Sequence, residues 1–292
     1  MRQIDGHTRL CGLIGNPVEH TISPVIHNTL AEREGRNLVY VPFHVEKDQL
    51  RKAIEGAFAL NALGLNVTVP YKSEAIGCLA GVDEIAEKIG AVNTLVRTEK
   101  GYKGYNTDAT GLYRAMRSEG ISVEGEEILI FGAGGAARAA AFLCVSKGAG
   151  QVYMMNRTEE KARKVAKEVN DAFGRESVVP MRPEDYGALP AGRRYLAIQA
   201  TSVGLYPDTD AAVMEDRAFY ERIHTGFDLI YRPSCTRFMK LVRDAGGKAY
   251  HGLKMLLYQG VEAYELWNGT SVSEEDVIIV YDKMKEAMGI EE

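Results

Sequence analysis

No apolar run in this 292-residue chain approaches the roughly 20 residues that a membrane helix needs. The stretch from Met1 to Arg9 is polar and lacks the apolar core of a signal peptide. Positive charge is not in excess: the formal net charge is −5, so the sequence gives no reason to expect a nucleic-acid partner. Cysteine is scarce. Cys11, Cys78, Cys144 and Cys235 lie far apart and form no CxxC pair, and three of them sit in apolar surroundings, which predicts buried, reduced thiols. The six histidines are scattered without ligand spacing, so no metal is expected. Long repeats and low-complexity segments are missing too. These absences, with 46% hydrophobic residues, predict a soluble cytoplasmic enzyme long enough for two domains.

What is present is organised around Glu127 to Arg138. Ile128 to Phe131 reads as a buried strand, Gly132, Gly134 and Gly135 follow at once, and Ala136 to Cys144 reads as an alanine-rich helix. Strand, glycine turn and helix in this order form the dinucleotide-binding fingerprint, with Ala137 at the third small position. Gly132 permits the tight turn, and Gly134 lets the backbone approach a pyrophosphate. The helix N-terminus, with Ala133, Gly135 and Ala136 around it, offers N–H groups and a partial positive charge to the phosphates.

The rest of the chain alternates strands and helices. Leu10–Ile14, Leu38–Phe43 and Leu63–Val69 read as strands. Helices are expected from Ser23, with Ser23 as N-cap and Pro24 in the first turn, and over Lys47–Leu60. Glu84–Ile89 is helical, Val92–Arg97 and Tyr102–Tyr105 look like a hairpin, and a helix spans about Asp108 to Glu119. The pattern then restarts. Strands are expected at Gln151–Met155, Ser177–Val179, Leu196–Gln199, Gly226–Ile230 and Lys248–Tyr250. Helices are expected at Glu159–Phe173, Thr236–Asp244, Leu253–Trp267 and Glu274–Met288. Two successive α/β patterns predict an α/β fold with two domains and mainly parallel sheets. The C-terminal helices need a partner, and packing back on the first domain is one solution.

The second strand after the glycine turn indicates which dinucleotide is bound. When NAD is the ligand, that strand normally ends in an acid that accepts from the ribose 2′-OH. Here it ends in Asn156-Arg157-Thr158, with no carboxylate to repel a 2′-phosphate. Arg157 can stack on adenine and pair with that phosphate, and Lys161 lies one helical turn on, so NADP is the expected cofactor.

Three further stretches are unusually polar for their positions: Glu19 to Pro24 at a strand-to-helix turn, Asn66 to Lys72 at the end of a strand, and Gly104 to Gly111. Ligands bind outside the carboxyl ends of strands in open parallel sheets, and hydroxyls and amides suit a small polyhydroxylated substrate. Each stretch alone also has an ordinary reading: Ser23 and Asp108 as helix caps, Asn66 and Thr68 as turn formers, Lys72 as a solvated side chain.

Taken together, the stretches resemble the shikimate dehydrogenase family over nearly the whole chain. The matching segments are Ile14-Gly15-Asn16-Pro17 with His20 to Asn28, Asn66 to Lys72, Ala91-Val92-Asn93-Thr94 and Asn106 to Gly111. Beyond them come Gly132 to Arg138, Asn156-Arg157-Thr158, Ala200 to Gly204, Asp228 to Pro233 and Gly252 to Gln259.

The resemblance implies a substrate-binding domain over residues 1–107, completed by helices of 253–292, and an NADP-binding Rossmann domain over 108–252. It implies reduction of 3-dehydroshikimate to shikimate with NADPH, in the pathway to aromatic amino acids. Lys72 and Asp108 match the family's catalytic pair; a cationic donor at the ketone oxygen stabilises negative charge as hydride arrives and supplies the proton. Thr21, Ser23, Asn66, Thr68, Asn93, Tyr231 and Gln259 fall where the family binds the substrate's carboxylate and hydroxyls. Thr201, Leu229, Gly252 and Met255 fall around the nicotinamide end of the cofactor.

Thr21 departs from the family's usual serine, which keeps the hydroxyl but adds a methyl group and bears on whether quinate is accepted. Lys254 often corresponds to a smaller residue in relatives and is expected to be exposed. A quinate/shikimate dehydrogenase of broader substrate and cofactor range is the alternative, with Arg157 against its use of NAD. A non-catalytic NADP sensor would have lost Lys72 or Asp108. A two-domain dehydrogenase acting on folates or amino acids would need neither the Thr-x-Ser-Pro turn nor Asn-Val-Thr-x-Pro-x-Lys. Monomer and homodimer are both compatible with the sequence.

Overall fold

The computed structural model describes residues 4–290. They divide into two compact units, residues 4–111 with 257–290, and Leu112–Leu256.

The first unit is built on a six-stranded sheet. Its elements are β1 (Arg9–Gly15), α1 (Ser23–Arg33), β2 (Leu38–His44), α2 (Leu50–Ala59) after a short 3-10 turn, β3 (Gly64–Val67), β4 (Gly81–Val82), α3 (Glu84–Ile89), β5 (Thr94–Thr98) and β6 (Gly101–Tyr105). The strand order is β2-β1-β3-β5-β6-β4. β1 pairs in parallel with β2 and β3, as the β-α-β-α-β reading requires. The expected hairpin is present, and β5 runs antiparallel to both β3 and β6, so the sheet is mixed. β6 therefore runs the same way as β1 and β3. The carboxyl ends of all three strands lie along one edge, where Asn66 faces Thr94 and Thr94 faces Tyr105 across the ladder.

The remaining elements are α4 (Thr107–Ser118), β7 (Glu127–Phe131), α5 (Gly135–Ser146), β8 (Gln151–Met155), α6 (Glu159–Phe173), β9 (Val178–Met181), β10 (Tyr195–Gln199), α7 (Arg217–Tyr220), β11 (Ile223–Asp228), α8 (Arg237–Asp244), β12 (Lys248–Tyr250), α9 (Leu253–Asn268) and α10 (Glu274–Met288). β7 to β12 form the sheet of the second unit, entirely parallel, in the order β12-β11-β10-β7-β8-β9. Read from the other edge, this is the doubly wound dinucleotide-binding order, with its switch point between β7 and β10. β7 and β10 are buried on both faces, which explains their unbroken apolar runs.

The C-terminal helices complete the first unit. Trp267 on α9 donates its indole N–H to the Leu95 carbonyl at 2.9 Å, and its ring lies over Gly64 so closely that a Cβ there would come within 2.0 Å. Arg33 on α1 pairs with Asp276 on α10 at 2.6 Å. The sequence did not indicate the short β4, α7 or the 3-10 turns, which are too brief to carry a period. Cys11 and Cys144 are buried and burial pushes each thiol up to about 12, but Cys78 and Cys235 are half-buried, so two thiols rather than three are enclosed.

Candidate active site

Lys72 follows β3, and its backbone carbonyl accepts from Val92 N–H at 2.8 Å, which ties the loop to the segment before β5. Asp108 sits in the first turn of α4, where the helix N-terminus favours a carboxylate. The fold brings these two together across 36 residues of sequence: Lys72 Nζ donates to Asp108 Oδ2 at 2.7 Å. Their side chains are 32% and 22% exposed, so the pair is screened but reachable.

Asp108 is held from its other side. Asn93 Nδ2 donates to Asp108 Oδ1 at 2.9 Å. The Asn93 amide is itself oriented by the Thr107 backbone N–H, which donates to Oδ1 at 2.7 Å. A backbone N–H can only donate, so Oδ1 must face it and Nδ2 must face Asp108. Each carboxylate oxygen of Asp108 thus has its own partner, and the second one points Lys72. Asp108 is not the helix cap, because Asn106 Oδ1 accepts from Ala109 N–H at 3.1 Å and fills that role. Thr94 and Thr107, whose hydroxyls lie 3.0 Å apart, complete the buried network; sequence reasoning covered both only as parts of longer motifs.

Ser23 differs from its expected part. The N-cap of α1 is Ile22, without a side-chain cap bond, and Ser23 is the first helical residue. Its hydroxyl is not spent on the helix end. It accepts instead from Thr21 Oγ1 at 3.1 Å, and Thr21 Oγ1 accepts from the Ser23 N–H at 3.2 Å. Two hydroxyls side by side at the carboxyl end of β1 can both donate to a carboxylate.

Asn66 is buried and Thr68 half-buried at the end of β3. Gln259 on α9 is 9% exposed, and its backbone is so close to Gly111 that a Cβ there would come within 2.6 Å. Tyr231 belongs to the second unit, where burial raises its phenol above the usual range. A cavity of about 520 Å³ in the first unit is lined by Asp83, Tyr105, Thr110, Glu262 and Glu265 among others, and includes neither Lys72 nor Asp108.

In the second unit the glycine turn follows β7. Gly132 has a φ of +109°, open to glycine but strained for other residues, and a Cβ there would come within 3.0 Å of the Ala200 carbonyl. At Gly134 and Gly135 a Cβ would meet nothing within 4 Å, so the backbone at the start of α5 faces open space. Ala137 is fully buried, as the packing position requires. Arg157 and Lys161 are exposed, with no ion pair or hydrogen bond from either side chain among the described residues, and the Asn156 amide closes the turn onto the Thr158 carbonyl at 2.7 Å. This surface fits a pyrophosphate at α5 and a phosphate beside Arg157.

The other expected cofactor residues surround the ends of β10 and β11. Thr201 donates to Gln199 Oε1 at 2.7 Å, with Gln199 acting as a buried brace for the loop. Gly252 lies against Leu229, whose carbonyl would be 2.2 Å from a Cβ, so only glycine fits there. Asp228, fully buried, accepts from the Ile230 N–H at 2.9 Å and the Thr236 hydroxyl at 2.6 Å and shapes the turn that carries Leu229. Met255 is half-buried on α9. Lys254 is not the exposed side chain expected: it is 28% exposed and pairs with Glu119 at 2.5 Å. Among the described residues no group of three metal-ligating side chains occurs, and no helix is long and apolar enough to cross a membrane.

Comparison with known proteins agrees with these features. Residues 13–95 match the family described as shikimate dehydrogenase substrate binding domain, 115–178 match shikimate / quinate 5-dehydrogenase, and 252–278 match shikimate 5'-dehydrogenase C-terminal domain. A shikimate dehydrogenase (NADP(+)) of Methanothermobacter thermautotrophicus is 40% identical over 271 residues, covering 91% of this chain and 93% of its own. A shikimate 5-dehydrogenase of Listeria monocytogenes, solved with shikimate and NAD, superposes with a TM-score of 0.88 at 28% identity, covering 97% of this chain and 99% of its own. The Thermus thermophilus enzyme, solved with NADP(H) and shikimate, gives 0.81 at 31% identity, covering 94% and 99%.

Proposed function

The chain belongs to the shikimate dehydrogenase family, and on that premise we propose that it interconverts 3-dehydroshikimate and shikimate with Lys72 and Asp108 as its catalytic pair. It is an NADP-dependent oxidoreductase, and its place is in the shikimate pathway of aromatic amino-acid biosynthesis. The quinate alternative is not favoured: the curated relatives carry the shikimate name, and no acid stands at the end of β8 to select NAD.

When bound, NADPH supplies the hydride. The first unit supplies the proton. As negative charge gathers on the substrate's carbonyl oxygen, the Lys72 ammonium donates to it and transfers a proton; in the reverse direction Lys72 accepts the proton of the hydroxyl. Asp108 Oδ2 fixes where Nζ stands, and Asn93 fixes Asp108. Thr21 and Ser23 take the substrate carboxylate, and Asn66, Thr68, Asn93, Gln259 and Tyr231 serve its hydroxyls. Gly132 to Ala136, Asn156 to Thr158 and Lys161 hold the phosphates and adenine ribose, while Thr201, Leu229, Gly252 and Met255 serve the nicotinamide end. The four unpaired cysteines suit a reducing compartment and support action in the cytoplasm.

The 2.7 Å contact between Lys72 and Asp108 is the observation that carries this reading. Lys72→Ala is expected to lower kcat by roughly 10²–10⁴-fold with little change in KM. An unchanged kcat in steady-state assays would remove Lys72 from the chemistry.

A further inference from the structure

Asn66 presents the substrate with one free hydrogen-bonding site, and its sense can be read from the surrounding protein. An asparagine amide offers two donor hydrogens on Nδ2 and two lone pairs on Oδ1. Nδ2 donates to the Asn93 carbonyl oxygen at 3.1 Å and to Thr94 Oγ1 at 3.1 Å. A carbonyl oxygen can only accept, so the atom facing Asn93 must be the nitrogen, and the amide cannot be turned over. Both donor hydrogens are spent inside the protein. On the other side the Tyr40 hydroxyl donates to Asn66 Oδ1 at 2.8 Å. One lone pair of Oδ1 remains.

Tyr40 is built to keep that role. Its ring, on β2, is 2% exposed and stacks on His27 at 4.2 Å between centroids and 19° between planes. Trp267 closes the same cluster at 6.1 Å from the Tyr40 ring. Burial raises the phenol well above its usual range, so the hydroxyl keeps its proton and remains a donor. His27 is fully enclosed. Neither of its ring nitrogens has a partner at hydrogen-bond distance among the described residues, and burial pushes it down to about 3 against a weaker opposing pull from the Asn66 side chain, so the ring is a neutral platform for Tyr40.

We propose that Asn66 acts toward the substrate as an acceptor only, and that Tyr40 is the positioning residue that aims its Oδ1. The site so built selects a hydroxyl that can donate and disfavours a group that can only accept, because a second acceptor facing Oδ1 would leave both unpaired. The inference rests on the reading of the first unit as the shikimate-binding part, and it goes beyond that reading by giving one contact a direction and adding a residue that does not touch the ligand.

The test is a cycle of enzyme and substrate changes. Shikimate is compared with two analogues, each carrying fluorine in place of one of the two ring hydroxyls that are not oxidised. Fluorine accepts weakly and cannot donate. With wild-type enzyme one analogue is expected to lose about tenfold or more in kcat/KM. Tyr40→Phe, which keeps the ring and its stacking, is expected to raise KM for shikimate about five- to tenfold with kcat little changed. For the sensitive analogue that penalty should vanish, since the contact it weakens is already gone. Asn66→Ala should likewise erase the difference between shikimate and that analogue, and this arm decides the matter if Tyr40→Phe fails to fold. A Tyr40→Phe penalty of equal size with all three substrates would mean a merely structural tyrosine and overturn the proposal. So would wild-type enzyme that accepts both fluorinated analogues as well as shikimate. Absence of any turnover of shikimate by the wild type would instead overturn the assigned function, so the two failures are distinct.

Discussion

Asp108→Asn changes one oxygen into an NH₂ group and leaves the shape almost intact, which makes it a sharp probe of the Lys72 site. The Asn93 amide cannot turn, because the Thr107 N–H holds its Oδ1 at 2.7 Å. Its Nδ2 therefore still faces position 108 and demands an acceptor there. In the variant the only side-chain oxygen goes to Asn93, and the new NH₂ group is set where Oδ2 met Lys72 Nζ at 2.7 Å. Donor meets donor, and the ammonium turns away. A hydrogen bond between charged groups is worth about 1.5–3 kcal/mol, and both side chains are less than a third exposed, so water recovers little of it. At about 1.36 kcal/mol per factor of ten, kcat should fall roughly 10- to 150-fold. Asp108 acts through Lys72, so adding Asp108→Asn to Lys72→Ala should cost little beyond the lysine change alone. The assay is steady-state oxidation of shikimate followed by nicotinamide absorbance for both single variants and the double. A wild-type kcat in Asp108→Asn, or penalties that multiply in the double variant, would refute the coupling.

Two further outcomes follow from the second unit. Arg157 is exposed with no ion pair from its side chain among the described residues, so it is available for a 2′-phosphate; Arg157→Ala should reduce the preference for NADP over NAD about 10- to 100-fold in kcat/KM, and an unchanged ratio would exclude that contact. Asp228 has its carboxyl pushed up to about 6 by burial. Between about pH 4 and 6 the folded chain therefore holds a proton that the unfolded chain has released, and this group's contribution to stability falls as pH rises through that window. Asp228→Asn should remove the effect: the wild type's unfolding free energy, measured against the variant's by denaturant titration, should drop by roughly 2 kcal/mol from about pH 4 to pH 7, and a constant difference would contradict the shift.

Much of this architecture is legible in the chain, and the reasons are local. Ile128 to Phe131 followed by Gly132, Gly134 and Gly135 carries its own geometry, since strand period, positive φ and helix start are set by adjacent residues. α10 is legible from Glu274 to Met288, because its period runs over four turns. Ser23 looks like a cap because it stands before a proline, while the chain enters α1 one residue earlier, at Ile22. Lys254 looks exposed because its partner, Glu119, is distant in sequence. The pairing of Lys72 with Asp108 comes from resemblance rather than spacing. The sequence indicates the β5–β6 hairpin, but no pattern in it tells that β5 also pairs antiparallel with β3 and sets Asn93 beside Asp108. Tyr40 is invisible as anything but core, for its value lies in a single hydroxyl aimed at Asn66 across the sheet.

The central claim is that this chain oxidises shikimate with NADP, and the most direct measurement sets shikimate against quinate with NADP⁺ and NAD⁺ in all four combinations. The highest kcat/KM by a wide margin is predicted for shikimate with NADP⁺. A higher value for quinate with NAD⁺, or no turnover of shikimate with either cofactor, would contradict the account.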